Sequence, residues 1–230
     1  MSSNTLQPVH TTVETLTEMV FEAIKLAIID RTLAPGSRVS EAALAEQLNV
    51  SKTPVRETLL RLRLIGLVVL TGSGLRVVAP SKEGLRAAYE YRIGLERISA
   101  ELAAARVDES AAGAIRAAAD SSLSCARAAD SDGFRNWDRE FHSLVARASG
   151  NALLASAIPD SMVLTSVLRV RDFLVSSDSV DCGHEHLNIA EAIGGGDGLS
   201  AAEGMQKHIE HVMSMVLSAS AVPTDGIEQF

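Results

Sequence analysis

Aromatic residues are nearly missing from this chain, at 3% of its 230 residues, although 47% of it is hydrophobic. Any sizeable core must then be built from Ala, Leu, Val and Ile, which points to helices packed on helices. There is no run of eighteen or more apolar residues and no basic, apolar, small-residue leader, so a soluble cytoplasmic protein is expected. Cysteine is scarce as well. Cys125 and Cys182 stand alone without motif spacing, which reads as two reduced thiols in a reducing compartment. No internal repeat or low-complexity segment stands out.

An overall charge of -8 argues at first against a nucleic-acid partner, but the charge is unevenly spread. Residues 1–80 carry eight Lys and Arg against seven Asp and Glu, and residues 81–230 carry thirteen against twenty-two. Between Ser51 and Arg76 the balance is sharper: Lys52, Arg56, Arg61, Arg63 and Arg76 face Glu57 alone. A local basic patch on an acidic protein confines any attraction for DNA to one surface.

The order of elements gives that patch a context. Residues 1–12 read as a flexible arm. A helix follows from near Val13 to Arg31, with Leu16, Val20, Ile24 and Ile28 on one stripe, and Pro35-Gly36 stops the chain beyond it. Ser40 is placed to cap a second helix reaching Leu48, and Ser51 a third reaching about Ile65, with Pro54 in its first turn. Leu67 to Thr71 and Leu75 to Ala79, joined by Gly72-Ser73-Gly74, read as a hairpin. Three helices and a hairpin form a winged helix-turn-helix over residues 13–80. Its third helix would enter the major groove, where N-terminal residues meet base edges and phosphates. The candidate DNA contacts are Arg38, Ser51, Lys52, Thr53, Arg56, Gly74 and Arg76, with Arg56 placed for two-point contact with guanine. Charge alone is equally compatible with a solvated basic face.

After Pro80-Ser81 only helices are expected, at about 82–107, 109–130, 133–149, 151–177, 183–194 and 199–220, ahead of a loose tail at 222–230. The fold class is therefore mainly α: a winged helix-turn-helix followed by an all-α six-helix bundle over residues 81–221. Asp138 and His142, four residues apart, share one helix face and can chelate one ion. With His186 and His208 they would offer one carboxylate and three imidazoles, a set suited to a divalent transition metal with positions left open. Unrelated surface or core histidines are the competing reading.

Two resemblances narrow these alternatives. The stretch Asp30-Arg31-Thr32-Leu33-Ala34-Pro35-Gly36-Ser37-Arg38-Val39-Ser40-Glu41, then Leu44-Ala45, then Val50-Ser51-Lys52-Thr53-Pro54-Val55-Arg56-Glu57 resembles the GntR family of bacterial regulators. Lys52 departs from the Arg usual there, and Leu64-Ile65-Gly66-Leu67 from the usual acidic-Gly-Leu ending. A Lys cannot make the planar two-point contact of an Arg, which bears on base preference rather than on DNA binding. Tyr91-Arg92 with Leu95-Glu96, then Asp138-Arg139-Glu140-Phe141-His142, Glu185-His186 with Ile189, and Met205 with His208-Ile209 resemble the FCD (FadR C-terminal) domain, including its six-helix, VanR-like form.

The second resemblance implies metal ligands at Asp138, His142, His186 and His208, with zinc as the expected ion and nickel, manganese or iron accepted by the same donors. It implies a homodimer on a two-fold-symmetric operator and a small carboxylate effector, with repression relieved when the effector binds. Arg92 would either meet the effector carboxylate or pair with Glu96 one turn away. Arg169 and Arg171 are weaker effector candidates, His184 and His211 are expected beside the ligands or exposed, and Trp137 in the core. A metal-free acyl pocket or dimerisation module is one alternative, and a metalloenzyme another. Replacing Arg56 with Ala is expected to abolish specific operator binding while leaving a folded dimer; retained specific binding in a gel-shift titration would contradict the assignment of the third helix.

Overall fold

The computed structural model describes residues 15–169 and 177–219. The expected arm (1–12), the start of the first helix at Val13, the tail (222–230) and Arg171 lie outside them. The chain divides into two compact units between Val78 and Ala79, just ahead of Pro80-Ser81.

In the first unit, helix α1 spans Leu16–Ile29, α2 Glu41–Gln47 and α3 Lys52–Leu64, followed by strands β1 (Val68–Thr71) and β2 (Gly74–Val77). Val20, Ile24 and Ile28 of α1 are buried, as are Val55, Leu59 and Leu62 of α3, so the two apolar stripes face each other across the core. Ser40 and Ser51 occupy the N-cap positions with extended backbone, yet neither makes a side-chain capping bond. That corrects the expected caps and leaves the Ser51 hydroxyl uncommitted to the helix start. The turn between α2 and α3 is closed by Val50 N donating to Ala45 O at 3.0 Å, with Asn49 in the left-handed region at φ 52°, a conformation Asn tolerates well.

The hairpin is tighter than the sequence suggests. Thr71 pairs with Gly74, so only Gly72 and Ser73 form the loop, and Gly74 carries the positive φ (110°) that most side chains resist. Residues 36–39 run beside β2, with Val39 N bonded to Leu75 O at 2.9 Å and Val77 N to Ser37 O at 3.0 Å.

The second unit holds α4 (Lys82–Arg106), α5 (Glu109–Arg127), α6 (Ser131–Ala148), α7 (Ala152–Leu168), α8 (Ser177–Gly194) and α9 (Gly198–Ala219). Ser81, Asp108, Asp130 and Asn151 each accept a backbone N–H at the start of the helix they precede, which fixes four of the helix boundaries chemically. Helix α4 packs against α6, α7, α8 and α9, while α5 packs against α6 and α8. Buried alanines such as Ala100, Ala103, Ala118, Ala119 and Ala202 let these helices approach closely.

Two boundaries differ most from expectation. Helix α7 ends at Leu168 rather than near 177, because the Arg169 backbone turns extended and its guanidinium bonds the Tyr89 hydroxyl, at 2.8 Å from Nη2. Helix α8 begins at Ser177 rather than 183. Gly183, read from sequence as a breaker, lies inside it because α5 passes so close there: a Cβ at 183 would stand 2.8 Å from the Leu123 Cα. Tertiary packing outweighs the helix cost of one Gly, about 1 kcal/mol. Gly183→Ala should overpack this crossing, lowering stability by about 1–3 kcal/mol and the melting temperature by several degrees; an unchanged thermal melt would contradict the crossing.

Candidate metal centre and nucleic-acid interface

Helices supply the residues of a buried cluster in the second unit. Asp138 and His142 sit one turn apart on α6, His186 on α8 and His208 on α9, and one ligand atom from each lies within 4.8 Å of all the others. Asp138 Oδ1 is 3.5 Å from His186 Nε2 and 3.8 Å from His142 Nε2. His186 Nε2 is 3.2 Å from His208 Nε2. The three imidazoles are fully buried or nearly so, whereas the Asp138 side chain keeps 26% of its exposure, the least enclosed of the four. Phe141 stacks on His186 with ring centroids 4.3 Å apart, an apolar wall behind the ligands.

The opposite nitrogen of each ring has its own partner. His208 Nδ1 lies 2.8 Å from Glu185 Oε2, His186 Nδ1 lies 3.0 Å from Ser122 Oγ, and His142 Nδ1 meets Glu96 Oε2. Ser122 Oγ is within 3.1 Å of the Ala119 carbonyl, which takes its proton, so the hydroxyl oxygen accepts from His186 Nδ1–H. A carboxylate accepts from His208 in the same way. Assigned from these partners, both rings carry their proton on Nδ1 and turn bare Nε2 lone pairs towards each other. Two lone pairs 3.2 Å apart repel, and no proton is available to bridge them. His142 Nε2 is buried without a hydrogen-bond partner among the described residues, which is costly in a dry interior.

Burial and mutual repulsion keep the His186 and His208 rings neutral. The His208 pKa is pushed down to about 3, first by burial and then by the neighbouring His142; that of His186 falls well below its ordinary value by burial and by His208. Neutral imidazoles with converging lone pairs, one carboxylate oxygen and an orphaned buried nitrogen fit a divalent cation. A second overlapping group, Cys182, Glu185 and His208, also lies within 4.8 Å. Burial and nearby carboxylates raise the Cys182 thiol pKa steeply, which disfavours the thiolate that a metal needs.

Arg92 is 3% exposed, and its Nε donates to Glu96 Oε1. Of the two partners expected for Arg92, the structure shows the Glu96 carboxylate one turn away. Taking Arg92 away would leave an uncompensated buried carboxylate, at about 3–5 kcal/mol. Burial pushes the Glu96 pKa up, but Arg92 and His142 outweigh it and hold it at about 2. His211 Nδ1 lies 2.9 Å from Glu185 Oε1, His184 is exposed with its Nε2 3.4 Å from Arg127, and Trp137 is 40% exposed rather than in the core.

On the first unit, Ser51, Lys52 and Thr53 are exposed at the start of α3. Arg56 is exposed too, but its fork is engaged by Glu41 of α2, with Nη2 at 2.9 Å and Nε at 3.1 Å from Oε2. Arg61, counted in the basic patch, is turned towards α1: it bonds Glu18 at 2.7 Å and lies 3.8 Å over the Phe21 ring. Arg76 clamps the hairpin through Gly36 O at 2.7 Å and Ser73 Oγ at 3.1 Å, and Arg38 crosses beside Gly74, where an added Cβ would stand 3.7 Å from its Nε.

Residues 16–77 match the family described as "Bacterial regulatory proteins, gntR family", and residues 87–211 match "FCD domain". The chain is a GntR-family transcription regulator with an FCD domain. A curated relative from Paenarthrobacter nicotinovorans, "Probable D-xylose utilization operon transcriptional repressor", is 28% identical over 93% of this chain and 92% of its own length. The "HTH-type transcriptional repressor RspR" of Escherichia coli K12 is 24% identical over 93% and 91%. Among solved structures, E. coli McbR/YncC superposes with a TM-score of 0.72 at 20% identity, covering 90% of this chain and 99% of that one. A Rhodococcus GntR regulator gives 0.64 at 24%, covering 89% and 98%. Both likenesses speak for the fold. This GntR regulator is accordingly a DNA-binding protein and not an enzyme, which removes the metalloenzyme alternative.

Sequence reasoning missed the partners behind the rings. Ser122 carries no motif of its own, Glu185 stood in the FCD resemblance without a role, and the signal for Glu96 was its i+4 spacing from Arg92.

Proposed function

We propose that this regulator is a repressor of the cytoplasm whose hold on a two-fold-symmetric operator is set by a small carboxylate metabolite bound at a metal-containing FCD domain. Convergence of three bare imidazole nitrogens and the Asp138 carboxylate carries this reading. Asp138, His142, His186 and His208 would hold a divalent transition ion, with zinc the best match to three nitrogens and one oxygen and nickel, manganese or iron compatible with them. When bound, such an ion acts as a Lewis acid with open positions for a carboxylate or water. The exposed flank of Asp138 is the side from which an effector would enter. The six helices of the second unit's described residues support the VanR-like form of the domain, and the repressors among its relatives support repression as the sign.

At the operator, each α3 of a homodimer would read one half-site. Ser51, Lys52 and Thr53 would bind phosphate and base edges at the helix start, Arg38, Gly74 and Arg76 would follow the backbone along the wing, and Arg56 would exchange Glu41 for guanine. That exchange is one two-point charged contact for another, so Glu41 holds the fork in shape in the absence of DNA. An effector regulates only by binding one arrangement of the two heads better than the other.

Elemental analysis of protein purified without chelator should find about one divalent ion per chain, and His186→Ala should lower that occupancy. Metal content unchanged in this variant would remove His186 from the ligand set, and none in the wild type would leave a metal-free bundle.

A further inference from the structure

We infer that Glu96, oriented by Arg92, is a positioning residue that decides which nitrogen of His142 carries the proton and thereby prepares the cluster to receive a metal. The inference rests on the metal reading above and goes beyond it by naming the group that sets the state of one ligand before any ion arrives.

The argument is one of hydrogen-bond polarity. Arg92 has only donors, and its Nε–H is spent on Glu96 Oε1. The other carboxylate oxygen, Oε2, is the atom that meets His142 Nδ1. An ionised carboxylate accepts only, so His142 donates from Nδ1, and in the neutral ring Nε2 is left as a lone pair, without a hydrogen-bond partner among the described residues. Glu96 and His142 are both buried, so water does not supply the alternative tautomer. Arg92, Glu96 and His142 form a one-way chain from α4 into α6.

The substitution Glu96→Gln exposes this polarity. Its single carbonyl oxygen would be claimed by Arg92, which turns the amide NH₂ towards His142. An NH₂ donates, so Nδ1 becomes the acceptor and the ring proton moves to Nε2, where it blocks the ligand position. The side chain is almost unchanged in size, which separates proton placement from packing. Glu96→Asp keeps an acceptor-only group and should retain the original tautomer.

The test uses the full chain with ¹⁵N-labelled histidine, chelated and then titrated with zinc alone. Ring nitrogen shifts should place the His142 proton on Nδ1 in wild type and in Glu96→Asp, and on Nε2 in Glu96→Gln. Zinc affinity, read by competition with a chromophoric chelator, should fall about 10- to 100-fold in Glu96→Gln. An Nε2 proton on His142 in the wild type overturns the inference, as does Glu96→Gln with wild-type tautomer or wild-type zinc affinity. Should Glu96→Gln not fold, the tautomers of the wild type and of Glu96→Asp still decide: an Nε2 proton in either overturns it. Should the wild type bind no zinc, the metal reading falls, while the shift pattern supports or overturns the placement of the proton as before.

Discussion

A carboxylate surrounded by helices has to be paired, and Glu96 is paired twice, by Arg92 on its own helix and by His142 on α6. Desolvating such groups costs several kcal/mol per ion, recovered only when every charge and proton finds a partner. That constraint organises the second unit. Arg92 on α4 fixes Glu96, Glu96 meets His142, and His142 faces His186 and His208 on α8 and α9, so four helices are tied to one polar centre inside an Ala-rich bundle. The remaining side of each ring is served by α5 and α8, through Ser122 and Glu185. The approach of α5 to α8 at Gly183 is what brings Ser122 within reach of His186.

The first unit solves a different problem with similar means. A recognition helix needs its charged groups outside but ordered, and here acidic neighbours order them. Glu41 holds the Arg56 fork, and Glu18 with Phe21 holds Arg61. The Arg56–Glu41 pair is exposed and weak in water, which suits the proposed exchange of Glu41 for guanine. The basic run seen in the sequence thus divides by role: Arg61 belongs to the packing of α3 on α1 and Arg76 to the hairpin, while Lys52 and Arg56 stay at the exposed start of α3.

Much of this was legible from residues alone, for identifiable reasons. Helical periodicity is strong where the apolar stripes are strict, as in Val55, Leu59 and Leu62, and the helix starts expected at 82 and 109 coincide with those that follow Ser81 and Asp108. The spacing of Asp138 and His142 predicts a shared face because four residues make one turn. What spacing does not give is the meeting of distant helices: only the order of the FCD resemblance links His186 and His208 to that pair. Gly183 shows the converse failure, where a local helix breaker is overruled by a close crossing. Arg92 stood between two readings that local sequence cannot separate, because an i,i+4 carboxylate and an effector carboxylate attract a guanidinium equally well. In the fold the guanidinium is buried against Glu96.

The account stands on three imidazoles and one carboxylate binding through atoms that already converge, with sulfur left out. X-ray absorption spectroscopy of the zinc-loaded full chain tests this most directly. A first shell of nitrogen and oxygen alone at about 2.0–2.2 Å, with the scattering pattern of three imidazoles and no sulfur, is the predicted result. A zinc–sulfur path at about 2.3 Å would place the ion instead on the Cys182, Glu185 and His208 group and contradict the account.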